Sequence, residues 1–285
     1  MGDSSGAYAR ERLLSGLPVT ERRLQLAGVS TAVLEGGDGP PIVLLQGEFA
    51  AVWMRVIPDL VTTHRVIAPD LPGLGASELL DGPPDASAVV TWLDQLIEQT
   101  CAVPPVLVGK GVGGALAARF AIDHADRVDR LVLVDTRGLD RFRPSPGMAV
   151  SFLGVLLRPT ERGLQRGFRN YCFADFDGVR AEMGERYEWM AAYALDRFRT
   201  PGVKAAMRRL TRQLSSAIPS EQLARIAVPT TLIWGRHDLG VRVSIAEAAS
   251  ARYGWPLHVI DNARDEPAIE QPKAFLSALR AALDS

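Results

Sequence analysis

The chain has two cysteines, four histidines and three lysines in 285 residues, and each scarcity closes off a class of function. Cys101 and Cys172 are too few and too far apart for a disulfide framework or a thiolate zinc site, and fit a reducing compartment. No apolar run reaches the roughly 18 residues of a membrane span, and MGDSSGAYARERLL has no charged-then-apolar leader pattern, so a cytoplasmic location is expected. The formal net charge of -1 gives no chain-wide attraction to nucleic acid or to an anionic membrane, and neither is expected as a partner. Only Lys110, Lys204 and Lys273 among the 32 basic residues are lysine, an arginine bias that reads as a GC-rich bacterial genome.

The hydrophobic 47% falls into short runs. An amphipathic helix is predicted over about 5–16, followed by two antiparallel strands in RRLQLAGVSTAVLEGG around Gly28 and a turn at GDGPP. PIVLL, RVIAP, PVLVG and LVLVD then read as strands buried on both faces, alternating with helical stretches such as SAVVTWLDQLIEQT and GGALAARFAIDH. Such alternation builds a right-handed, mostly parallel sheet with helices on both sides, an α/β fold. From Gly138 to Ser215 the pattern is helical only, punctuated by Pro144, Pro146, Pro159 and Pro201, before TTLIWG, VSIAEAASARYG, PLHVI and PKAFLSALRAAL resume the rhythm. The division expected is a core of 1–137 and 216–285 with a helical lid of 138–215 over the carboxyl edge of the strands. Residues 137–215 hold fifteen Arg or Lys against eight Asp or Glu, so this segment is +7 and the rest is -8. That is either a solvated exterior or a field for an anionic substrate or a carrier-bound acyl group.

Gly109-Lys110-Gly111-Val112-Gly113-Gly114 closes a strand and opens a helix. Small residues around a sharp strand-to-helix turn are what a nucleophile elbow requires, yet the central position is Gly111. The same residues satisfy G-x-G-x-x-G, with Asp135 at the end of the next strand, a pattern that can hold a dinucleotide. That loop lies mid-chain after two earlier parallel strands, which disfavours a nicotinamide or flavin site. No cofactor and no metal is expected.

Several motifs in order resemble the α/β-hydrolase-fold proteins with a helical cap, over about Arg22 to Leu283: LLQGEFAAVW, PDLPGLGAS, GKGVGG, LVLVD, IWGRHD and NARDEPAIEQPKAF. The resemblance places the family's nucleophile on Gly111, its acid on Asp238 and its histidine on Asp265, and puts Gln46 where an HG loop has histidine. Two of three triad members are therefore replaced, and a serine-histidine relay has no parts to run on. The resemblance also implies that the amides of Val112 and of a residue near Glu48 form the place where an oxyanion is held. Gln46, Gly47, Glu48, Lys110, Gly111, Val112, His237 and Glu266 are the expected substrate-binding residues, and Asp238 and Asp265 the expected catalytic pair.

A carboxylate under an apolar lid, or beside a second carboxylate, can be raised until it works as a general acid or base near neutrality. For Glu48 and Glu266 a solvated loop position competes with that reading. Lys110 can be an amine nucleophile, an anion ligand, or a packed ion-pair partner. His64, His124 and His258 read as structural, and the lid aromatics Tyr171, Trp189 and Tyr193 as core residues with a chance of touching substrate. The expected function is a cofactor-independent lyase, isomerase or cyclase acting by acid-base chemistry on a small, largely apolar carbonyl compound, within bacterial specialised metabolism. A pseudo-hydrolase that only binds a ligand or partner, and a hydrolase using carboxylate-activated water, are the alternatives.

Overall fold

A computed structural model describes residues 3–79 and 86–284. Eight strands form one sheet: β1 (Thr20–Leu26), β2 (Val29–Gly36), β3 (Pro41–Leu45), β4 (Arg65–Pro69), β5 (Val106–Lys110), β6 (Arg130–Val134), β7 (Thr230–Gly235) and β8 (Leu257–Ile260). Their order is β1-β2-β4-β3-β5-β6-β7-β8. β1 and β2 pair antiparallel, as does β2 with β4, and every other pairing is parallel. The α/β-hydrolase fold expected from the motifs is thus the fold observed, and each short apolar run is a strand. The first helix spans Asp3–Leu14, slightly ahead of its expected place. Ala27 and Gly28, both at positive φ, make the turn between β1 and β2.

Every side chain of β3, β5 and β7 is buried, because helices cover both faces. On one face, Ala86–Thr100, Val112–Asp123 and Val243–Tyr253 pack around Trp92, Phe120 and Trp234. The other core joins the first helix, Pro272–Asp284 and part of the chain between β6 and β7 around Trp53, Tyr187 and Phe275.

Between β6 and β7 lie helices Pro146–Leu157, Glu161–Gly167, Phe176–Met183, Glu185–Arg199 and Pro201–Leu214, with a wide π turn at Phe168–Cys172. Their starts are written in the sequence: Ser145, Thr160 and Asp175 each accept an amide of the first turn, and Pro146 and Pro201 occupy first-turn positions. The π turn was not expected from the spacing. This helical insertion is tied to the sheet domain through Arg10, which donates to Tyr193 Oη at 3.1 Å and pairs with Asp70 at 2.9 Å. Asp70 also accepts the amides of Ala50 and Ala76, so the acid of PDLPGLGAS is a structural bracket.

Register sets the site. Leu45 lies opposite Gly109, Lys110 opposite Val134, and Gly235 opposite Ile260. The segments that follow β3, β5, β6, β7 and β8 therefore converge on one edge of the sheet.

Candidate active site

Gly111 turns the chain from β5 into its helix with φ 56° and ψ -116°. Its amide donates to Val134 O at 3.0 Å, and its carbonyl accepts from Ala115 and Arg137. The surrounding glycines are required by contact: a Cβ on Gly109 would lie 2.6 Å from Gly114 Cα, and one on Gly113 2.6 Å from the Leu45 backbone. Gly111 is different, since a Cβ there meets nothing within 4 Å. The elbow has the form and the room for a side chain and carries none.

Beside it, the loop after β3 comes so near that a Cβ on Gly47 would stand 3.1 Å from Val112 Cβ. Val112 is the first residue of its helix, and a first-turn amide has no carbonyl partner within the helix. Gln46 is buried, and its Oε1 accepts the Gly47 amide at 3.2 Å, holding this loop in shape.

Lys110 reaches a pair of acids, Asp265 and Glu266. Its Nζ lies 2.6 Å from Glu266 Oε1 and 3.4 Å from Asp265 Oδ2, with its side chain only 5% exposed. Burial works against its charge, but Asp265, Glu266 and Glu48 outweigh burial and hold its pKa well above that of a free lysine. One ammonium cannot neutralise three carboxylates. Burial raises Glu266 to about 8, Glu48 and Asp265 pushing the same way and Lys110 opposing. Asp238 is raised to about 7, first by burial and then by the charge of Asp265, although its Oδ1 accepts the Gly240 and Val241 amides at 2.6 and 3.1 Å. Trp234 Nε1 closes the same loop by donating to Val241 O at 2.7 Å. Asp135, at positive φ after β6, is fully buried and accepts the Gly235 amide at 2.9 Å; burial, Asp238 and Asp265 raise it far above a free aspartate. Glu48 Oε2, Asp135 Oδ2 and Asp238 Oδ2 are buried without a hydrogen-bond partner. Such oxygens fit groups that hold or exchange a proton.

The loop bearing Asp265 and Glu266 is fixed by a residue that the motifs did not single out. Glu270 Oε1 accepts the Arg264 amide at 2.7 Å, while its Oε2 accepts the Ala174 amide of the insertion at 2.5 Å. Burial raises it to about 7 against those amide bonds. Arg264 Nη1 reaches the carbonyls of Arg169, Asn170 and Phe173, so the π turn and the acid-bearing loop are one bracket. The dense acids of NARDEPAIE were the only signal in the sequence for Glu270.

Two adjoining cavities, sharing Glu48, Arg137, Phe152, Phe198 and Met207, lie between insertion and sheet edge. The inner, about 100 Å³, is lined by Asp265, Glu266 and the aromatic wall of Phe168 and Phe173; the outer, about 340 Å³, by Gly47 and Val112. Gly47, Glu48, Val112, Asp265 and Glu266 are thus brought together at the cavities, with Lys110 behind the acids and Gly111 at the turn. Asp238 lines neither cavity; its link to them is the charge of Asp265, which helps raise its pKa. His237 is not brought in: adjacent residues point apart, and it is exposed while Asp238 is buried. His124 stacks on Phe120, and neither His64 nor His258 lines the cavities. Tyr171, Trp189 and Tyr193 also fail to line them. Trp189 packs edge-on against Tyr8 and Tyr193 against Phe49, and phenylalanines take the wall instead.

Residues 40–270 match the family model described as alpha/beta hydrolase fold. The chain is 27% identical over 274 residues to the 2-hydroxy-6-oxo-6-(2'-aminophenyl)hexa-2,4-dienoic acid hydrolase of Metapseudomonas resinovorans, covering 90% of this chain and 89% of that one. It is 26% identical over 261 residues to the pimeloyl-[acyl-carrier protein] methyl ester esterase of Aeromonas hydrophila, covering 88% of this chain and 98% of that one. Among solved structures, the 2-hydroxy-6-oxo-6-phenylhexa-2,4-dienoate hydrolase of Rhodococcus sp. strain RHA1 superposes with a TM-score of 0.81 at 22% identity, over 94% of this chain and 99% of that one.

Proposed function

The chain belongs to the α/β-hydrolase fold family, and from that premise we propose that it is an enzyme without an acyl-enzyme step, a noncanonical member whose nucleophile and histidine positions hold Gly111 and Asp265. Its substrate is a small, largely apolar carbonyl compound held beneath a lid formed by residues 138–215. The amides of Val112 and of the Glu48 loop bind the carbonyl oxygen. Asp265 removes a proton from the adjacent carbon, the electron pair moves to that oxygen, and Glu266 or Asp238 returns a proton as the product forms. Isomerisation, elimination, cyclisation and carbon-carbon bond reactions share this enolate step. Arg137 and Arg197 at the inner cavity suit an anionic group on the substrate, and the relative acting on an acyl-carrier ester supports a carrier-bound form. The observation that carries the reading is the open space at Gly111 beside a cavity lined by Asp265 and Glu266.

The names of the relatives favour one second reading, in which Asp265 takes its proton from water and the hydroxide attacks the same polarised carbonyl. Enolisable ketones in deuterated water, followed by proton NMR, test both. The expected outcome is exchange at the carbon beside the carbonyl, reduced about a hundredfold or more in Asp265→Asn. Cleavage with oxygen from labelled water in the product acid selects the second reading. An adduct with a fluorophosphonate, or an acyl burst with a nitrophenyl ester, overturns both, and saturable binding without exchange or cleavage identifies a non-catalytic binder.

A further inference from the structure

Helix Pro146–Leu157 contains no charged residue, although it lies on the surface. Its inward face supplies Met148, Phe152 and Val155 to the cavities. Val150, Leu153 and Leu157, spaced three and four residues apart, form the opposite face and are 71%, 52% and 68% exposed. Large aliphatics exposed in a row are uncommon on a soluble surface and mark a contact.

Exposed arginines stand at both ends of this stripe: Arg141 and Arg143 before it, and Arg158, Arg162 and Arg166 after it. None has an acidic partner within ion-pairing distance, whereas fourteen other arginines of the described residues do. Between residues 137 and 166, Asp140 and Glu161 are the acids set against six arginines. We propose that this face docks the protein on an anionic lipid surface, with Val150, Leu153 and Leu157 entering the acyl boundary and the arginines binding headgroup phosphates.

The chemistry separates this occupant from others. A second copy would pair the face with itself and set arginines against arginines. An acidic protein would use the arginines but gain little from three aliphatics, since protein interfaces draw their strength mainly from aromatic and arginine anchors. An interfacial helix needs both an apolar face that enters the membrane and cations that meet its phosphates. The whole-chain charge of -1 hides this local field. The docking face is also one helix away from the cavities, a short path for an apolar compound leaving the bilayer.

The full chain is tested by flotation with phosphatidylcholine vesicles containing or lacking phosphatidylglycerol. Binding is expected only with phosphatidylglycerol and should weaken as salt rises. The variant Val150→Ser/Leu153→Ser/Leu157→Ser and the variant Arg158→Gln/Arg162→Gln/Arg166→Gln should each lower partitioning about tenfold or more. All six positions are exposed, and an unchanged melting curve confirms that each variant is folded. Failure of the wild type to float with anionic vesicles overturns the proposal, as does flotation that neither triple variant alters. Binding to an acidic carrier protein without flotation assigns the face to a protein. Dimers in sedimentation that Leu153→Glu separates, again without flotation, assign it to a second copy.

Discussion

The elbow assigns different work to neighbouring glycines. Gly111 sits at a positive φ with open space above it, so Gly111→Ser should fold, at a cost of about 1–3 kcal/mol for a side chain at that sparsely populated backbone conformation, measured by urea denaturation. On the proposed alignment, which sets Asp265 where a histidine would have to take the serine proton, it should not become an efficient esterase; a large gain of turnover on a nitrophenyl ester would refute that alignment. Asp238→Asn retains an oxygen for the Gly240 and Val241 amides while removing the group that titrates at about 7. The residue types at these positions were legible in the sequence. Their alliances were not: Lys110 gives no sign from its motif that it serves Glu266, 156 residues away. The alternation of side chains along a strand orients neighbours apart, but it does not name the partner that each will find.

At the scale of elements, the elbow and the bracket that ties the insertion to the acid-bearing loop behave as rigid joints. A methyl on Gly113 meets the Leu45 backbone, which cannot yield as a flexible side chain would, so Gly113→Ala should destabilise by about 2–4 kcal/mol in urea denaturation. Glu270→Gln keeps one acceptor for Arg264 but turns a donor toward the Ala174 amide, costing about 1–3 kcal/mol. Hydrogen exchange should then quicken together at Arg264–Glu266 and Phe168–Ala174, whereas faster exchange in only one segment would show that the two are not coupled. Strand positions were legible because buried parallel strands read as short apolar runs. The π turn was not, because its geometry depends on carbonyls gathered by Arg264, a contact that crosses more than ninety residues.

For the whole molecule, buried acids put a proton balance into stability, Asp135 among them. Asp238, Glu266 and Glu270 are raised to about 7, 8 and 7, above their unfolded values, so the native chain retains protons that the unfolded chain has released. The stability they contribute is complete below the unfolded values near 4 and is lost as pH rises through 7 to 8; Lys110 stays charged throughout. The melting temperature should therefore fall between about pH 5 and 8, and Asp238→Asn should make the slope shallower by at most one proton, ~1.4 kcal/mol per pH unit. An unchanged slope would mean that Asp238 is ionised in the native state. The division of charge between insertion and sheet domain was visible in the sequence, but the pairing that leaves five arginines around one apolar helix without acidic partners exists only after folding. The caged lysine gives the molecule a chemical clock. With three lysines in the chain, an amine-acylating reagent finds Lys273 exposed and Lys204 half-buried, and reaches Lys110 only when the acids around it part and it gives up a proton. The rate at which that one site is labelled, relative to the other two, times the opening of the pocket.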